Sequence, residues 1–173
     1  MKKTLNILFF FAIIFLITGQ SKAKGNYLED LIKDKEIKVI IYDGMSYDEA
    51  TMHFESKMNG YIDGYGAYFF NKAYNLGVDP YMSLAIMMHE TGCKWTCSYI
   101  ARNCNNFGGM KGAGCGSYQK FKTKEEGIDS FLNNLKYNYI DKGLTTPVAI
   151  NTIYAENKAW HVTINRYMEE LKK

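Results

Sequence analysis

No aspartate or glutamate stands between Glu90 and Glu125, although Lys94, Arg102, Lys111, Lys120, Lys122 and Lys124 all fall in that stretch. The gap rules out a carboxylate pair built within the segment. It leaves a positive strip that reads either as a solvated face or as a rim for an anionic polymer. The chain has no Cys-x-x-Cys pair, so a four-thiolate zinc site lacks its usual spacing. It also has no histidine four residues after His89, where Cys93 stands, so His89-Glu90 does not open a zinc-protease helix. Repeats and low-complexity tracts are missing too. No metal and no cofactor is expected.

Residues 1–23 read as a secretory leader: Lys2-Lys3, an apolar stretch from Leu5 to Ile17, and Ser21-Lys22-Ala23 as a small-x-small cleavage site. The apolar stretch is short for a membrane span, so a secreted or cell-envelope location is expected, with anchoring by an uncleaved N-terminal segment as the alternative. No cysteine follows the stretch to carry a lipid. The formal charge of +3 belongs to this leader: without Lys2, Lys3 and Lys22, the 21 basic residues become 18 and equal the 18 acids. Nucleic acid is therefore not an expected partner.

The remaining chain suits one domain with an adequate core, divided here into an N-terminal arm over 24–45 and a domain over 46–173. Its four cysteines, Cys93, Cys97, Cys104 and Cys115, crowd into one short stretch. In an exported chain that even number argues for two disulfides. Sequence alone leaves all three pairings open; Cys104 with Cys115, closing the glycine-rich loop, and Cys93 with Cys97 is the one we favour.

The pattern of apolar residues is mostly helical. Val39 to Tyr42 reads as a short strand ended by Asp43-Gly44. Ser46-Tyr47-Asp48-Glu49 fits a capping box opening a helix to about Met58, with Ala50, Phe54 and Met58 on one face. A second helix spans Tyr65 to Asn75, with Ala67, Phe70, Ala73 and Tyr74 in register and Gly77 as terminator. Asp79-Pro80 supplies a cap and a first-turn proline for a helix ending at Glu90, apolar on nearly all sides and so central.

From Gly92 to Ser117 glycines and cysteines replace that periodicity, which predicts a loop-rich lobe with a small hairpin. Tyr118 to Phe121 is extended. Thr123 then caps a helix whose buried face is Ile128, Phe131, Leu132 and Leu135. Thr146-Pro147 starts another, to about Tyr154, and Val162, Ile164, Tyr167, Met168 and Leu171 mark a terminal amphipathic helix. The fold class expected is mainly α, with a small loop and β-hairpin lobe.

Glu90 is the residue with the clearest chemistry. A carboxyl carried out of a buried helix is desolvated, so its charged form is disfavoured and it tends to keep a proton near neutral pH. An acid at a helix C-terminus also opposes the macrodipole, and the preceding turn offers only His89 as a base. A solvated last residue is the plain alternative; a general acid would explain the placement.

The order of motifs resembles the peptidoglycan-cleaving glucosaminidases of glycoside hydrolase family 73, within the lysozyme-like superfamily. The residues carrying the resemblance are Val78-Asp79-Pro80, His89-Glu90-Thr91-Gly92, Asn105-Asn106-Phe107-Gly108-Gly109-Met110, Tyr118 to Phe121 with Glu125-Glu126-Gly127, Tyr154-Ala155 and Trp160. They cover roughly Ser46 to Leu171. The resemblance implies a lysozyme-like helical domain, Glu90 as general acid, Asn105 to Met110 as the floor of a glycan groove, and Tyr154 and Trp160 closing it. Peptidoglycan glycan strands are the implied substrate and a monomer is expected. No wall-binding module is appended, a weak pointer to delivery by a cell-envelope secretion or conjugation complex.

Most glycosidases use two carboxyl groups, and the acid-free stretch after Glu90 departs from that pattern. Either Glu125, Glu126 or Glu156 reaches the cleft, or the substrate's 2-acetamido group serves as nucleophile, with Tyr154 orienting it or stabilising developing charge. We favour the second. A lytic transglycosylase forming 1,6-anhydro-muramic ends, and a wall-binding protein without activity, are the alternatives.

Overall fold

The computed structural model describes residues 39–173, the side chain of Lys94 excepted. The leader expected at 1–23 and the expected arm as far as Lys38 lie outside the described residues. The chain divides after Ser46 into two compact units. In the described part of the first, the strand expected over 39–42 is reduced to a single antiparallel bridge between Tyr42 and Met45. The intervening Asp43 and Gly44 both have positive φ, 45° and 77°, as a two-residue hairpin turn requires. Ser46 alone separates Met45 from the helix that begins at Tyr47, which leaves little chain to extend the pairing.

The second unit, Tyr47–Lys173, holds seven helices and one hairpin: α1 (Tyr47–Lys57), α2 (Gly66–Leu76), α3 (Pro80–Thr91), α4 (Tyr99–Cys104), β1 (Gly114–Cys115), β2 (Tyr118–Gln119), α5 (Lys124–Asn138), α6 (Pro147–Tyr154) and α7 (Trp160–Lys172). This is the mainly α, lysozyme-like architecture with a small β lobe. Several boundaries follow from local chemistry. Asp79 Oδ1 accepts the amide of Met82 at 2.7 Å, Thr123 Oγ1 that of Glu126 at 3.2 Å, and Thr146 Oγ1 that of Ala149 at 3.2 Å, each satisfying an orphan first-turn donor. Gly77 ends α2 at φ 67°.

Helix α3 is the hub. Every residue from Pro80 to Met87 is buried, because α2 and α7 both pack on it. Phe54 of α1 lies between Phe70 and Tyr81, with ring centroids 5.1 and 5.0 Å away. Burying aromatic rings of this size contributes roughly 1.5–3 kcal/mol each. Ile128, Phe131, Leu132 and Leu135 form the inner face of α5 as their spacing indicates.

Three details differ from the sequence reading. In α7 the inner face is Trp160, Ile164 and Leu171 with Tyr167 and Met168 at its flanks, whereas Val162 is 59% exposed; two residues from Trp160 and from Ile164, it is rotated about 200° away from them. In α2 Phe69 takes the buried place beside Phe70, and Tyr74 is exposed. The glycine-rich segment contains the helix α4, which its glycines and cysteines obscured; Ser98 Oγ caps it by accepting the Ala101 amide at 3.3 Å.

Candidate active site

Glu90 lies one residue before the end of α3, where the helix leaves the core. Thr91 anchors that end, its hydroxyl donating to the Met87 carbonyl at 2.8 Å, and Gly92 turns the chain at φ 61°. The half-buried Glu90 carboxyl accepts a hydrogen bond at Oε1 from the Tyr154 hydroxyl, 3.1 Å away. Burial raises the Glu90 pKa above the ordinary carboxyl value, against smaller opposing effects of the Tyr154 hydrogen bond and the charge of His89. Tyr154 is itself held protonated: burial first, then the adjacent Glu90, push its pKa well above the usual phenol value. It therefore acts as a donor.

Two aromatic rings flank Tyr154 in tilted contacts. Its ring lies 4.8 Å from that of Trp160 and 5.5 Å from that of Tyr139. Trp160 is 4% exposed, so it backs the tyrosine rather than facing solvent.

The Asn105 to Met110 segment divides into two halves with different jobs. Asn105 closes α4 at φ 51°. Its side chain accepts from the Tyr61 hydroxyl at 2.8 Å and donates to the Phe121 carbonyl at 3.0 Å. Asn106 is buried and laces the loop to the hairpin, donating to the carbonyls of Met110 and Gln119 at 2.9 and 3.0 Å and accepting the Met110 amide at 2.9 Å. Phe107 is in the core. Gly108, Gly109 and Met110 face a cleft of about 860 Å³, together with Glu90 and Tyr154. A β-carbon on Gly109 would lie 3.6 Å from Glu90 Oε2, so this oxygen faces the loop. The structure thus brings Glu90, Tyr154, Gly108, Gly109 and Met110 to one cleft, and sets Asn105, Asn106, Phe107 and Trp160 behind it.

The disulfides are Cys93–Cys97 and Cys104–Cys115, with Cα atoms 5.2 and 6.1 Å apart, the favoured pairing. The second ties the end of α4 to β1, and with it the loop between them. All four thiols are consumed, so the zinc reading has no ligands left.

Among the described residues Glu90 is the one acid lining the cleft. Glu125 lies at the start of α5 with Thr123 and Tyr65, its carboxyl held below the ordinary value chiefly by its own backbone amide. Glu126 accepts the Lys122 amide at 2.8 Å, and Glu156 borders a separate hollow with His161 and Lys158. Of the cationic strip, Lys111 alone among the described side chains lines the cleft, while Lys124 sits over Tyr61, its ammonium 4.4 Å from that ring.

Sequence reading missed one wall entirely: Ser130, Asn133, Asn134, Tyr137 and Asn138, all on α5, with Tyr139 beyond. The signal was present, since these positions fall at i, i+3, i+4, i+7 and i+8, one helical face. That face is uncharged and rich in amides, unusual for a stripe meant only for solvent.

A helical domain with one desolvated carboxyl at the end of its central helix, beside a hairpin lobe and an open cleft, defines a lysozyme-like glycosidase. A family model for glucosaminidases, described as mannosyl-glycoprotein endo-beta-N-acetylglucosaminidase, matches residues 66–173. The chain belongs to this family, glycoside hydrolase family 73, and is a glycoside hydrolase with peptidoglycan as its substrate. Among curated proteins none matches it.

Proposed function

We propose that this protein is an exported endo-β-N-acetylglucosaminidase in which Glu90 is the sole carboxyl catalyst and the substrate supplies its own nucleophile. The observation that carries the reading is that no second acid lines the cleft among the described residues. With the glycan bound, the carbonyl oxygen of the 2-acetamido group attacks the anomeric carbon while the bond to the leaving oxygen breaks and Glu90 gives that oxygen its proton. The departing sugar becomes an alcohol and the attacked sugar a cyclic oxazolinium. Water then adds to the anomeric carbon, passing a proton back to the Glu90 carboxylate and reopening the acetamido group. The configuration is retained.

Tyr154 supports both halves of this cycle. Its hydroxyl binds Oε1, which leaves Oε2, on the Gly109 side, as the oxygen that carries the moving proton. After transfer the same hydrogen bond stabilises the carboxylate that forms. The glycines at 108 and 109 permit the sugar to approach the backbone where a side chain would obstruct it. The leader sequence at 1–23 supports delivery across the membrane to the wall, free or through an envelope secretion or conjugation complex, with the protein acting as a monomer.

Product analysis tests the reading. Purified peptidoglycan digested with the protein and examined by mass spectrometry should yield reducing N-acetylglucosamine ends. Abundant 1,6-anhydro-muramic ends would instead mean capture by the sugar's own 6-hydroxyl, overturning the hydrolytic step. Wall clearing that survives Glu90→Gln would remove Glu90 from the chemistry.

A further inference from the structure

Among the described residues Lys111 is the one cation on the cleft, and its placement is fixed from two directions. Its backbone forms an antiparallel bridge with Tyr118. The residues on either side are pinned as well: the Gly112 amide donates to the Ser117 carbonyl at 3.1 Å, and the Gln119 amide to the Met110 carbonyl at 2.9 Å. Its ammonium then folds over the Tyr118 ring, 4.0 Å from the centroid, an attraction that holds a flexible side chain in one orientation. No carboxylate of the described residues pairs with it.

The rest of the lining explains what such a charge is for. Apart from Glu90 and Lys111, the described lining of the cleft is neutral: chiefly amides and a hydroxyl on α5, glycine backbone, and tyrosines. Neutral donors and acceptors suit the hydroxyl and acetamido groups common to every N-acetylated sugar polymer. They do not distinguish an uncharged polymer from one bearing acidic substituents. A positioned ammonium with no carboxylate partner among the described residues does.

We propose that Lys111 is a specificity-determining residue that binds a carboxylate carried by a substituent of the glycan, either the lactyl ether of muramic acid or the peptide attached to it. The proposal rests on the glucosaminidase reading for the identity of the chain, and on the Lys111 geometry for the charge. It assigns a residue to the recognition of the acidic substituents that set wall glycan apart from neutral N-acetylhexosamine polymers. Because Lys111 is on an exposed rim, its effect should be modest and sensitive to salt.

The test is binding rather than turnover. Dissociation constants would be measured by calorimetry for the Glu90→Gln protein, with and without Lys111→Gln, on three glycans: peptide-bearing wall strands, strands stripped of peptide so that the lactyl carboxylate is free, and neutral N-acetylglucosamine oligomers. Lys111→Gln is expected to reduce the preference for acid-bearing over neutral glycan about three- to fivefold at low salt, and Lys111→Arg to preserve it. A loss confined to peptide-bearing strands assigns the contact to a peptide carboxylate, a loss confined to stripped strands assigns it to the lactyl carboxylate, which is an amide while the peptide is attached, and a loss on both shows that either carboxylate is bound. An unchanged preference, or equal weakening on all three, overturns the proposal. Failure of the unsubstituted enzyme to cut any wall glycan would sink the glucosaminidase mechanism separately, leaving the binding result to stand or fall alone.

Discussion

The Tyr154 hydroxyl and the Glu90 carboxyl meet 3.1 Å apart although 64 positions separate them in sequence, and the bond pulls against burial in setting the carboxyl's proton affinity. Removing the phenol therefore has a definite sign. In Tyr154→Phe the carboxylate loses its donor, so the Glu90 pKa rises further and the alkaline limb of the pH–rate profile moves to higher pH. The maximal rate should fall about tenfold or more, the scale of a hydrogen bond to a charged group. A profile whose alkaline limb moved downward, or not at all, would show that Tyr154 does not govern this acid.

Glu90→Gln should abolish turnover by two to four orders of magnitude, roughly the usual contribution of a general acid, while glycan binding persists. It should also stabilise the fold. Because burial raises the folded-state pKa, the native protein holds this proton more tightly than the unfolded chain does. Stability from this group is full below the unfolded carboxyl value and is lost as pH rises through the folded one. The amide never ionises, so the variant should melt higher than the parent at neutral pH and converge with it in acid. Melting curves across pH check this, and a gap that widened in acid would contradict the burial argument.

The α5 amide wall makes a separate prediction. Asn133 is half-buried on the cleft, and among the described residues no protein group bonds its side chain. Asn133→Ala should therefore raise KM several-fold, the worth of roughly one hydrogen bond, with little change in kcat or melting temperature. A thermal loss with unchanged KM would make it structural instead.

Which parts of this site were legible in the sequence follows from the range of the interactions. Glu90, Gly108 and Gly109 stood out because their chemistry is local: an acid ending an apolar helix, and glycines where backbone must be approached closely. Asn106 and Phe107 entered the expected site only through the resemblance, and tertiary packing turns them inward to hold the loop. The fate of Trp160 was equally nonlocal, decided by α7 docking on α3. The α5 wall was written at helical spacing, but attention to its apolar face hid the polar one opposite.

Gly127 and Asn105 show how closely the loop and α5 are fitted. A β-carbon on Gly127 would overlap the Asn105 carbonyl oxygen and press on the Phe107 ring. Backbone cannot yield as a flexible side chain can, so Gly127→Ala should cost about 1–3 kcal/mol through overpacking, lower the melting temperature by several degrees, and shift the Gly108–Met110 rim enough to reduce kcat. Its φ is not in the positive region, so strain of the backbone itself would not be the cause. An unperturbed Gly127→Ala protein would mean that the loop stands off α5 in solution.

The two disulfides should differ in their contribution to stability because they close loops of different length. Cys104–Cys115 spans 11 positions and Cys93–Cys97 spans 4. On the loop-entropy model these correspond to about 3 and about 2 kcal/mol of stabilisation through the unfolded chain. The native side favours the same ranking: Cys93 is held at φ 46°, a left-handed conformation unfavourable for a residue with a β-carbon, and this offsets part of what the shorter bridge gains. Replacing Cys104 and Cys115 together by serine should therefore lower the melting temperature more than replacing Cys93 and Cys97. It should also cost more activity, since the longer bridge fixes the lobe that carries Gly108 to Lys111. The reverse order of melting temperatures would show that the turn after α3, rather than the hairpin lobe, is where the fold most needs its covalent tie.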